Sequence, residues 1–330
     1  MSSNIIKATK QFLMATKSFR QGTRVIGSEL KARLCVPTLR SVEFQVTHHC
    51  NLKCAFCYAR DIMSAKKNPN NMPFDIFKST VDTIYKLGII HINITGGEPL
   101  IRSDIIDIIS YIPKDVIVTL VTNSTLLTKD KINSLKKANL STIQMSYGSN
   151  YKNFFNREMA QFCIKQGISV TLSILNTFEE RPHNEEALKL AKDDGYNILY
   201  NYPMRYCNSG LDSKFYWENR NLPIVREDNM FWSGRDICPA GIHKIYITND
   251  GDIMSCDRIH EIYGNIHTDN IRGVWKTMAK KYKKNKSFCL LETDTDQWEI
   301  NNKMSGKRYP VKNIGSSTNP FNIFDRANEG

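Results

Sequence analysis

A regular alternation of short β-rich runs and helical patterns between residues 42 and 202 constrains the fold of this 330-residue chain most strongly. Each β run is short, largely apolar and mostly rich in Ile, Val or Thr, which is typical of buried strands. Strands that alternate with helices pair in parallel through crossover connections. The predicted strands are Val42–Thr47, His91–Thr95, Val116–Thr122, Ser141–Ser146, Ser169–Leu175 and Asn197–Tyr202, and the predicted helices are Phe74–Leu87, Ser103–Ile112, Lys129–Ala138, Asn153–Gln166 and Glu185–Asp194.

The pattern changes after residue 203. We expect residues 203–237 to be irregular, because they are rich in Asn, Arg and aromatic residues. Two β runs, Lys244–Thr248 and Asp252–Cys256, then flank an Asn-Asp-Gly turn, which is a strong hairpin signal. A helix is predicted at Ile271–Tyr282. We therefore divide the chain into an N-terminal amphipathic helical segment (1–40), an α/β barrel or sheet (41–203) and a C-terminal region (204–330).

Composition narrows the class of protein. The chain is 41% hydrophobic and 24% charged, and no stretch approaches the roughly 18 apolar residues of a membrane span, which excludes an integral membrane protein. The N-terminus lacks the continuous apolar core of a secretory signal, so we predict a cytoplasmic location. Nine cysteines in a reducing compartment indicate metal or cluster ligands rather than a disulfide scaffold.

The net charge of +12 is concentrated in two segments. Residues 1–40 contain eight Lys and Arg and one acid, Glu29, and residues 270–291 contain seven Lys and Arg and no acid. Basic surfaces favour anionic partners, such as phosphate-bearing substrates, nucleic acid or lipid headgroups. A solvated basic face without a specific ligand is an equally good interpretation.

A tight group of thiols follows the first predicted strand. In parallel α/β folds the functional loops leave the carboxyl ends of the strands. Cys50, Cys54 and Cys57 lie in such a loop, and three thiolates hold three irons of a four-iron cluster, leaving the fourth iron open. The alternative is a zinc site with His48 or His49 as its fourth ligand.

The loops after the next strands carry glycine and polar residues. Gly96 and Gly97, followed by Glu98 and Pro99, come after the second strand. Glycine lets a backbone approach a ligand closely, and a neighbouring carbonyl can accept a hydrogen bond from an ammonium group. The third and fourth loops contribute Asn123, Ser124 and Ser146.

Together, the C-x3-C-x2-C spacing with Phe56 before the third cysteine and the Gly-Gly-Glu-Pro run resemble the radical S-adenosylmethionine (radical SAM) superfamily. The resemblance implies a [4Fe-4S] cluster on Cys50, Cys54 and Cys57 whose open iron binds S-adenosylmethionine. It also implies a reductant protein such as a flavodoxin or ferredoxin. The expected cofactor-binding residues are Tyr58, Gly96, Gly97, Glu98, Pro99, Asn123, Ser124, Ser146 and Asn176. Many relatives carry Ser-x-Asp-Gly after the fourth strand, whereas this chain has Ser146-Tyr147-Gly148-Ser149, so no Asp role transfers there.

A second set of cysteines surrounds the predicted hairpin. Cys238-Pro239-Ala240-Gly241, Cys256 and the later Gly264-Asn265-Ile266 resemble a shortened SPASM/twitch extension, which implies one auxiliary [4Fe-4S] cluster with Cys238, Cys256 and Cys289 as ligands. Cys207 is a reserve ligand or, alternatively, a thiol that donates a hydrogen atom. The alternative is that Cys238 and Cys256 are buried structural thiols, although the Cys-Pro-Ala-Gly run, the hairpin and the Gly-Asn-Ile run together favour the cluster. The fold class is thus α/β, a partial (β/α)6 TIM-like barrel with a small C-terminal β-hairpin/helix auxiliary-cluster extension.

Several functions remain open at this stage. The first is a radical SAM enzyme that oxidises, epimerises or rearranges an anionic small-molecule or nucleotide-like substrate. A peptide-modifying maturase that forms thioether or carbon–carbon crosslinks is second, although forty residues before the first strand are few for a leader-peptide domain. An enzyme with a lipid-linked substrate and peripheral membrane contact is third, and a zinc-binding interaction protein is the non-enzymatic alternative; nucleic acid is not an expected partner. The apolar face of the N-terminal segment could equally well cover the open bottom of the barrel, and we favour this arrangement. That face consists of Ile5, Ile6, Phe12, Leu13, Met14 and Phe19.

Overall fold

The computed structural model describes residues 16, 18–34, 36–54, 57, 70–149, 154–201, 212–220, 222–226, 238–257 and 259–283. Within them, one mixed sheet of ten strands runs through the molecule in the order β10-β9-β8-β1-β2-β3-β4-β5-β6-β7. The sheet does not close on itself, so the predicted partial barrel is confirmed. Its strands are β1 (Ser41–Gln45), β2 (His91–Thr95), β3 (Ile117–Thr122), β4 (Thr142–Tyr147), β5 (Ser169–Leu175), β6 (Asn197–Asn201), β7 (Val225–Arg226), β8 (Lys244–Ile247), β9 (Asp252–Cys256) and β10 (Ile259–Asn265).

The helices of the described residues cover the sheet or cross its end. The first six predicted strands pair in parallel in chain order, as the alternation indicates. Side-chain caps begin two of the crossover helices, since Thr128 accepts from the backbone N–H of Lys131 and Asn156 from that of Met159. The helices are α1 (Phe19–Arg33), α2 (Phe74–Lys86), α3 (Ile105–Tyr111), α4 (Lys129–Lys137), α5 (Arg157–Lys165), α6 (Arg181–Asp194), α7 (Ser213–Asn219) and α8 (Ile271–Tyr282).

The expectation of an irregular segment at residues 203–237 is wrong for the part that is described. Helix α7 and the two-residue strand β7 lie there, and β7 pairs in parallel with β6. A strand of two residues has no periodicity that sequence reasoning can detect. Residues 202–211, 221 and 227–237 lie outside the described residues.

The predicted hairpin is confirmed, but it is not a separate appendage. Strand β8 pairs in parallel with β1, from Ser41 opposite Lys244 to Phe44 opposite Ile247. Strands β9 and β10, the latter not predicted, continue the sheet in antiparallel pairs. Helix α8 packs on this edge, where Trp275 Nε1 donates to the carbonyl of Ile242 at 2.9 Å. The C-terminal region therefore extends the barrel sheet.

The two sides of the sheet differ in chemistry. On the outer side, Phe44 packs edge-to-face on Phe77 of α2, with ring centroids 5.0 Å apart. On the inner side, His91 bridges Ser41 and Thr119 through hydrogen bonds of 2.9 Å each. Successive residues of a strand point to opposite sides, so the apolar core lies between sheet and helices and the inner side is polar.

Helix α1 covers the end of the barrel where the strands begin. Gln21 Nε2 donates to the carbonyl of Lys114 at 2.8 Å, and Arg24 donates to that of Ile89 at 2.7 Å. The expected apolar contact through Phe19 is wrong, because Phe19 is 88% exposed and a different side of the helix faces the barrel. The other residues of the expected apolar face lie outside the described residues. None of the described helices is long and apolar enough to cross a membrane.

Candidate functional site

The thiol loop, residues 47–57, leaves the carboxyl end of β1. Cys50, Cys54 and Cys57 are half-buried, and the backbone N–H of Cys57 donates to the carbonyl of Cys54 at 3.2 Å. Burial raises the pKa of the Cys50 thiol, a hydrogen bond from the Leu52 N–H partly offsets this, and the charges of Glu98 and Cys54 raise the pKa further. Cys50 and Cys54 are therefore close enough to interact electrostatically. Residues 55–56 and 58–69, with Tyr58, lie outside the described residues.

The two glycines of the GGEP loop, residues 96–99, bring two backbones together. The N–H of Gly97 donates to the carbonyl of Thr47 at 2.8 Å, and the N–H of Glu98 to that of His49 at 2.7 Å. A Cβ at Gly96 would lie 2.7 Å from the Thr47 carbonyl oxygen, and one at Gly97 would lie 2.3 Å from that of His49. The two glycines therefore allow the backbone of the GGEP loop to lie directly against the thiol loop.

The carboxylate of Glu98 points into the protein. Its Oε1 accepts from the Leu100 N–H at 3.0 Å and the Thr122 hydroxyl at 2.8 Å, and its Oε2 accepts from the Asn123 N–H at 2.7 Å. Burial raises the pKa of Glu98, which is fully buried, and these donors act in the opposite direction. Pro99 opens a short 3-10 turn, for which Glu98 is the cap. Glu98 therefore links the loops after β2 and β3.

The third loop, residues 122–125, is bonded to the thiol loop. Asn123 Nδ2 donates to Asn51 Oδ1 at 2.9 Å and lies 4.0 Å from the Cys50 sulfur. Ser124 has a φ of 68°, a left-handed conformation that non-glycine residues seldom adopt. Among the described residues its buried hydroxyl has no hydrogen-bond partner. A strained backbone and an unpaired buried hydroxyl at one residue are features that concentrate at binding sites.

The fourth and fifth loops lie beside one another. Ser146 is half-buried on β4 and lies opposite Ser173 of β5. Asn176 is fully buried, and its Nδ2 donates to the carbonyl of Asp212 at 3.2 Å, while its Oδ1 has no partner among the described residues. Tyr147, the next residue along the chain, is on the outer side of the sheet. Its ring packs on Phe155, and burial together with a hydrogen bond to Glu186 raises its pKa.

Glu180 supplies a carboxylate beside the position where relatives carry Asp. The N–H of Ser149 donates to Glu180 Oε2 at 2.9 Å, and the Ser149 hydroxyl donates to Oε1. Gly148, with a φ of 146°, has no room for a side chain, because a Cβ would lie 2.8 Å from Glu180 Oε2. Glu180 follows β5, and nothing in the sequence indicates that it contacts the loop after β4. Sequence reasoning therefore missed it.

Arg102 is a second residue that the sequence did not indicate. Its Nη1 donates to the carbonyls of Val46 and Met72, at 2.6 and 2.8 Å, and thereby joins the two ends of the segment that contains the thiol loop. Asp104 accepts from Arg102 Nε at 2.8 Å and Nη2 at 2.6 Å, and these bonds lower the pKa of Asp104. The guanidinium is buried, so its five donors are available only to these neighbours.

Cys238 and Cys256 lie near the open end of the β8–β9 hairpin, opposite its turn. Cys238 is buried just before β8, and Cys256 ends β9, where its thiol donates to Asp257 Oδ1 at 3.0 Å. Because β8 runs parallel to β1, both cysteines lie toward the start of β1, whereas the thiol loop follows its end. Cys207 and Cys289 lie outside the described residues.

Fold and site together define a class of protein. It is an open α/β barrel with a loop of three thiols after the first strand and a glycine loop seated on it. Within the described part of the chain, no group of three or more His, Cys, Asp or Glu side chains is placed to hold a metal ion, and this includes Cys50, Cys54 and Cys57. Residues 44–203, just under half of the chain, match the family model of the Radical SAM superfamily, and this part of the chain belongs to that superfamily.

Known proteins that are similar to parts of this chain have names that refer to different substrates. A GTP 3′,8-cyclase of Listeria monocytogenes is 32% identical over 204 residues, which are 56% of this chain and 58% of the cyclase. The subtilosin biosynthesis protein AlbA of Bacillus subtilis is 35% identical over 94 residues, 28% of this chain and 20% of AlbA. The chain therefore spans little more than half the length of the cyclase.

Solved structures share the fold. SuiB of Streptococcus suis, bound to S-adenosylmethionine, superimposes with a TM-score of 0.58 and 15% identity over 77% of this chain and 69% of SuiB. Native anSMEcpe with bound AdoMet gives a TM-score of 0.56 at 15% identity, over 73% of this chain and 82% of that protein. At such low identity the similarity establishes the architecture alone.

Proposed function

We propose that the chain binds a [4Fe-4S] cluster through Cys50, Cys54 and Cys57, binds S-adenosylmethionine at that cluster, and abstracts a hydrogen atom from a substrate. One observation carries the proposal: the thiol, GGEP and third loops pack against one another at the carboxyl ends of β1, β2 and β3. The thiols suit iron by their chemistry, since they are half-buried on one short loop. Membership of the superfamily supports the same cofactors.

When bound and reduced by a protein such as a flavodoxin or ferredoxin, the cluster would supply the one electron needed to cleave a carbon–sulfur bond of S-adenosylmethionine. The chain's own residues hold the loops in place for this chemistry. Gly97 lets the GGEP backbone rest on the thiol loop, and Glu98 fixes the third loop through the Asn123 N–H. The unpaired hydroxyl of Ser124 is a donor for a polar group of the cofactor.

Three more of the predicted cofactor residues have supporting roles in this proposal. Ser146 is placed beside the loop that Glu180 orders, where a ribose would lie. The free Oδ1 of Asn176 is an acceptor for an adenine amino group. Pro99 starts the turn that follows Glu98. Tyr58 remains a prediction from the sequence.

An auxiliary cluster on Cys238, Cys256 and Cys289 is the second part of the proposal. Cys238 and Cys256 share one end of the hairpin, which supports a common site. The five residues of β1 separate that end from the thiol loop by roughly 17 Å, at about 3.3 Å per residue. At that separation the auxiliary cluster would exchange electrons with the substrate or bind it from the other end, with Cys207 as a reserve ligand.

The first substrate class is an anionic, nucleotide-like small molecule. The basic net charge and the similarity to a GTP 3′,8-cyclase support it. A peptide substrate is the second class, because AlbA and a PqqA peptide cyclase are also similar to parts of the chain. Formation of 5′-deoxyadenosine, measured with nucleoside triphosphates and separately with peptides, tells the two apart. The true substrate increases the rate, and a deuterated sample of it transfers deuterium into the 5′-deoxyadenosine.

Anaerobic reconstitution tests the function directly. We expect about four irons per chain, or about eight with the auxiliary cluster, and release of 5′-deoxyadenosine under reduction. Cys54→Ser should abolish cleavage and remove about four irons. Cys163→Ala is the matched control, because burial raises the pKa of this thiol to about 12 and keeps it in the core. Stoichiometric zinc without cleavage would overturn the proposal in favour of a zinc-binding protein.

The auxiliary cluster is tested by its own pair of variants. Cys238→Ala together with Cys256→Ala should remove about half the iron and leave the spectrum of the first cluster unchanged. If the iron content stays the same, these cysteines are buried structural thiols.

A further inference from the structure

The face of the barrel opposite the thiol loop is rich in lysines, four of them exposed and one half-buried. In a parallel α/β fold every crossover helix ends where the next strand begins, so the helix ends collect on one face, here called the basal face. Cations in the last turn of a helix are favoured by the helix dipole. The last turns of α2, α4, α5 and α6 place five lysines on the basal face: Lys86, Lys136, Lys137, Lys165 and Lys192.

Two acids near this face are engaged by other side chains, and the exposed Asp193 beside Lys192 is outnumbered by the lysines. Asp115 pairs with Arg24 at 3.3 Å and accepts from the Tyr85 hydroxyl at 3.0 Å. Asp194 forms a two-point pair with Arg157 at 2.6 and 2.7 Å. The sign of the electrostatic potential on the basal face is therefore set mainly by the lysines at the helix ends.

Helix α1 lies across the basal face with one side against the barrel. Gln21, Val25 and Ser28 are buried on that side. The one acid of the first forty residues, Glu29, is also buried and pairs with Arg40 at 2.8 Å. The inner side of α1 is thus fixed, and the helix adds no exposed acid to the face.

The outer side of α1 presents an apolar stripe. Phe19, Ile26, Leu30 and Leu34 are 88%, 48%, 56% and 75% exposed, and their spacing of seven, four and four residues places them along one side of the helix. Arg20 and Lys31 border the stripe. Large apolar side chains that line up on a surface mark interaction sites.

We propose that the outer side of α1 and the lysines of the basal face dock on an anionic lipid bilayer. An apolar stripe within a basic rim is the pattern of an interfacial helix, whose apolar side enters the headgroup region while the cations meet anionic lipids. Single-stranded nucleic acid would call for stacking aromatic residues rather than the aliphatic Ile26, Leu30 and Leu34. The thiol loop then faces away from the membrane, open to substrate from the aqueous side.

Vesicle co-sedimentation of the full reconstituted chain tests the docking. We expect binding to vesicles of phosphatidylcholine and phosphatidylglycerol in equal parts, weak binding to phosphatidylcholine alone, and weaker binding at high salt. Ile26→Asp with Leu30→Asp should lower the affinity about tenfold or more. Ile262→Asp, which changes an exposed apolar residue of β10, is the matched control and should bind as the wild type does.

A second variant keeps the test decisive if the first does not fold. Lys165→Glu with Lys192→Glu changes exposed residues outside α1 and should reduce binding to the anionic vesicles severalfold. Unchanged binding of the folded Asp variant would place any membrane contact elsewhere in the chain and overturn the proposal. Equal binding of the wild type to both vesicle types would also overturn it. The proposal would fail as well if the wild type bound no vesicles and the variants instead lost a dimer or RNA binding.

Discussion

Glu98 is a buried carboxylate that holds the GGEP loop and the third loop together. Glu98→Gln keeps the shape of the side chain but sets an amide NH2 against a donor, either the Leu100 N–H or the Asn123 N–H. A buried donor left without an acceptor costs about 1–3 kcal/mol, so we expect a loss of stability of that size. Urea denaturation measures it, with exposed Glu179→Gln as the control. A change within error of the control would mean that the carboxylate does not brace the loop.

Among the described glycines, Gly97 has the least room for a side chain. Gly97→Ala places a Cβ 2.3 Å from the His49 carbonyl oxygen, and both partners are backbone, so the two loops must separate. We expect a loss of about 3 kcal/mol in stability and a reduced iron content after reconstitution. Gly273→Ala, with nothing within 4 Å of the new methyl group, should cost nothing. Equal iron content in the two variants would contradict the close packing.

At the scale of elements, Arg102 couples the thiol loop to α3 through Asp104, and this gives a pH dependence. Arg102 holds the pKa of Asp104 below its ordinary value, so the contact stabilises the fold above the unfolded-state pKa, near 3.9, and is lost as the pH falls through the folded value. We expect Asp104→Asn to be less stable than wild type at neutral pH and equally stable in strong acid. Thermal unfolding of both proteins between pH 7 and 2 measures the difference in their stability. A difference that does not change with pH would contradict this role of Asp104.

The elements also show where sequence reasoning stops. Strands β2, β5 and β9 have the predicted bounds, and the other predicted strands begin and end within two residues of theirs, because Ile, Val and Thr runs mark buried strands clearly. Strand β10 was missed, since its sequence IHEIYGN is that of a polar edge strand with irregular register. The loops that carry Cys50 and Gly97 were predicted by motif, whereas Glu180 and Arg102 depend on contacts that no local pattern records.

At the scale of the whole molecule, the C-terminal region and the barrel share a buried ion pair. Lys244 of β8 and Glu43 of β1 lie 3.0 Å apart with side chains about one-tenth exposed. Lys244→Met leaves the Glu43 carboxylate buried without this partner, and we expect a loss of about 3–5 kcal/mol. Glu43→Leu together with Lys244→Met should recover much of it. Denaturant melts of the single and double variants measure the coupling, and additive losses would show that the pair does not act as a unit.

The parallel pairing of β1 with β8 also sets an order of events during synthesis. About 200 residues separate the paired positions Ser41 and Lys244, so a ribosome needs roughly 10–40 s to deliver β8 after β1 has emerged. For that time one edge of β1 has no strand beside it, although the motif that follows β1 has already been made. An unpaired edge is a site where other chains can add, so the growing polypeptide needs protection there until its last parallel strand arrives.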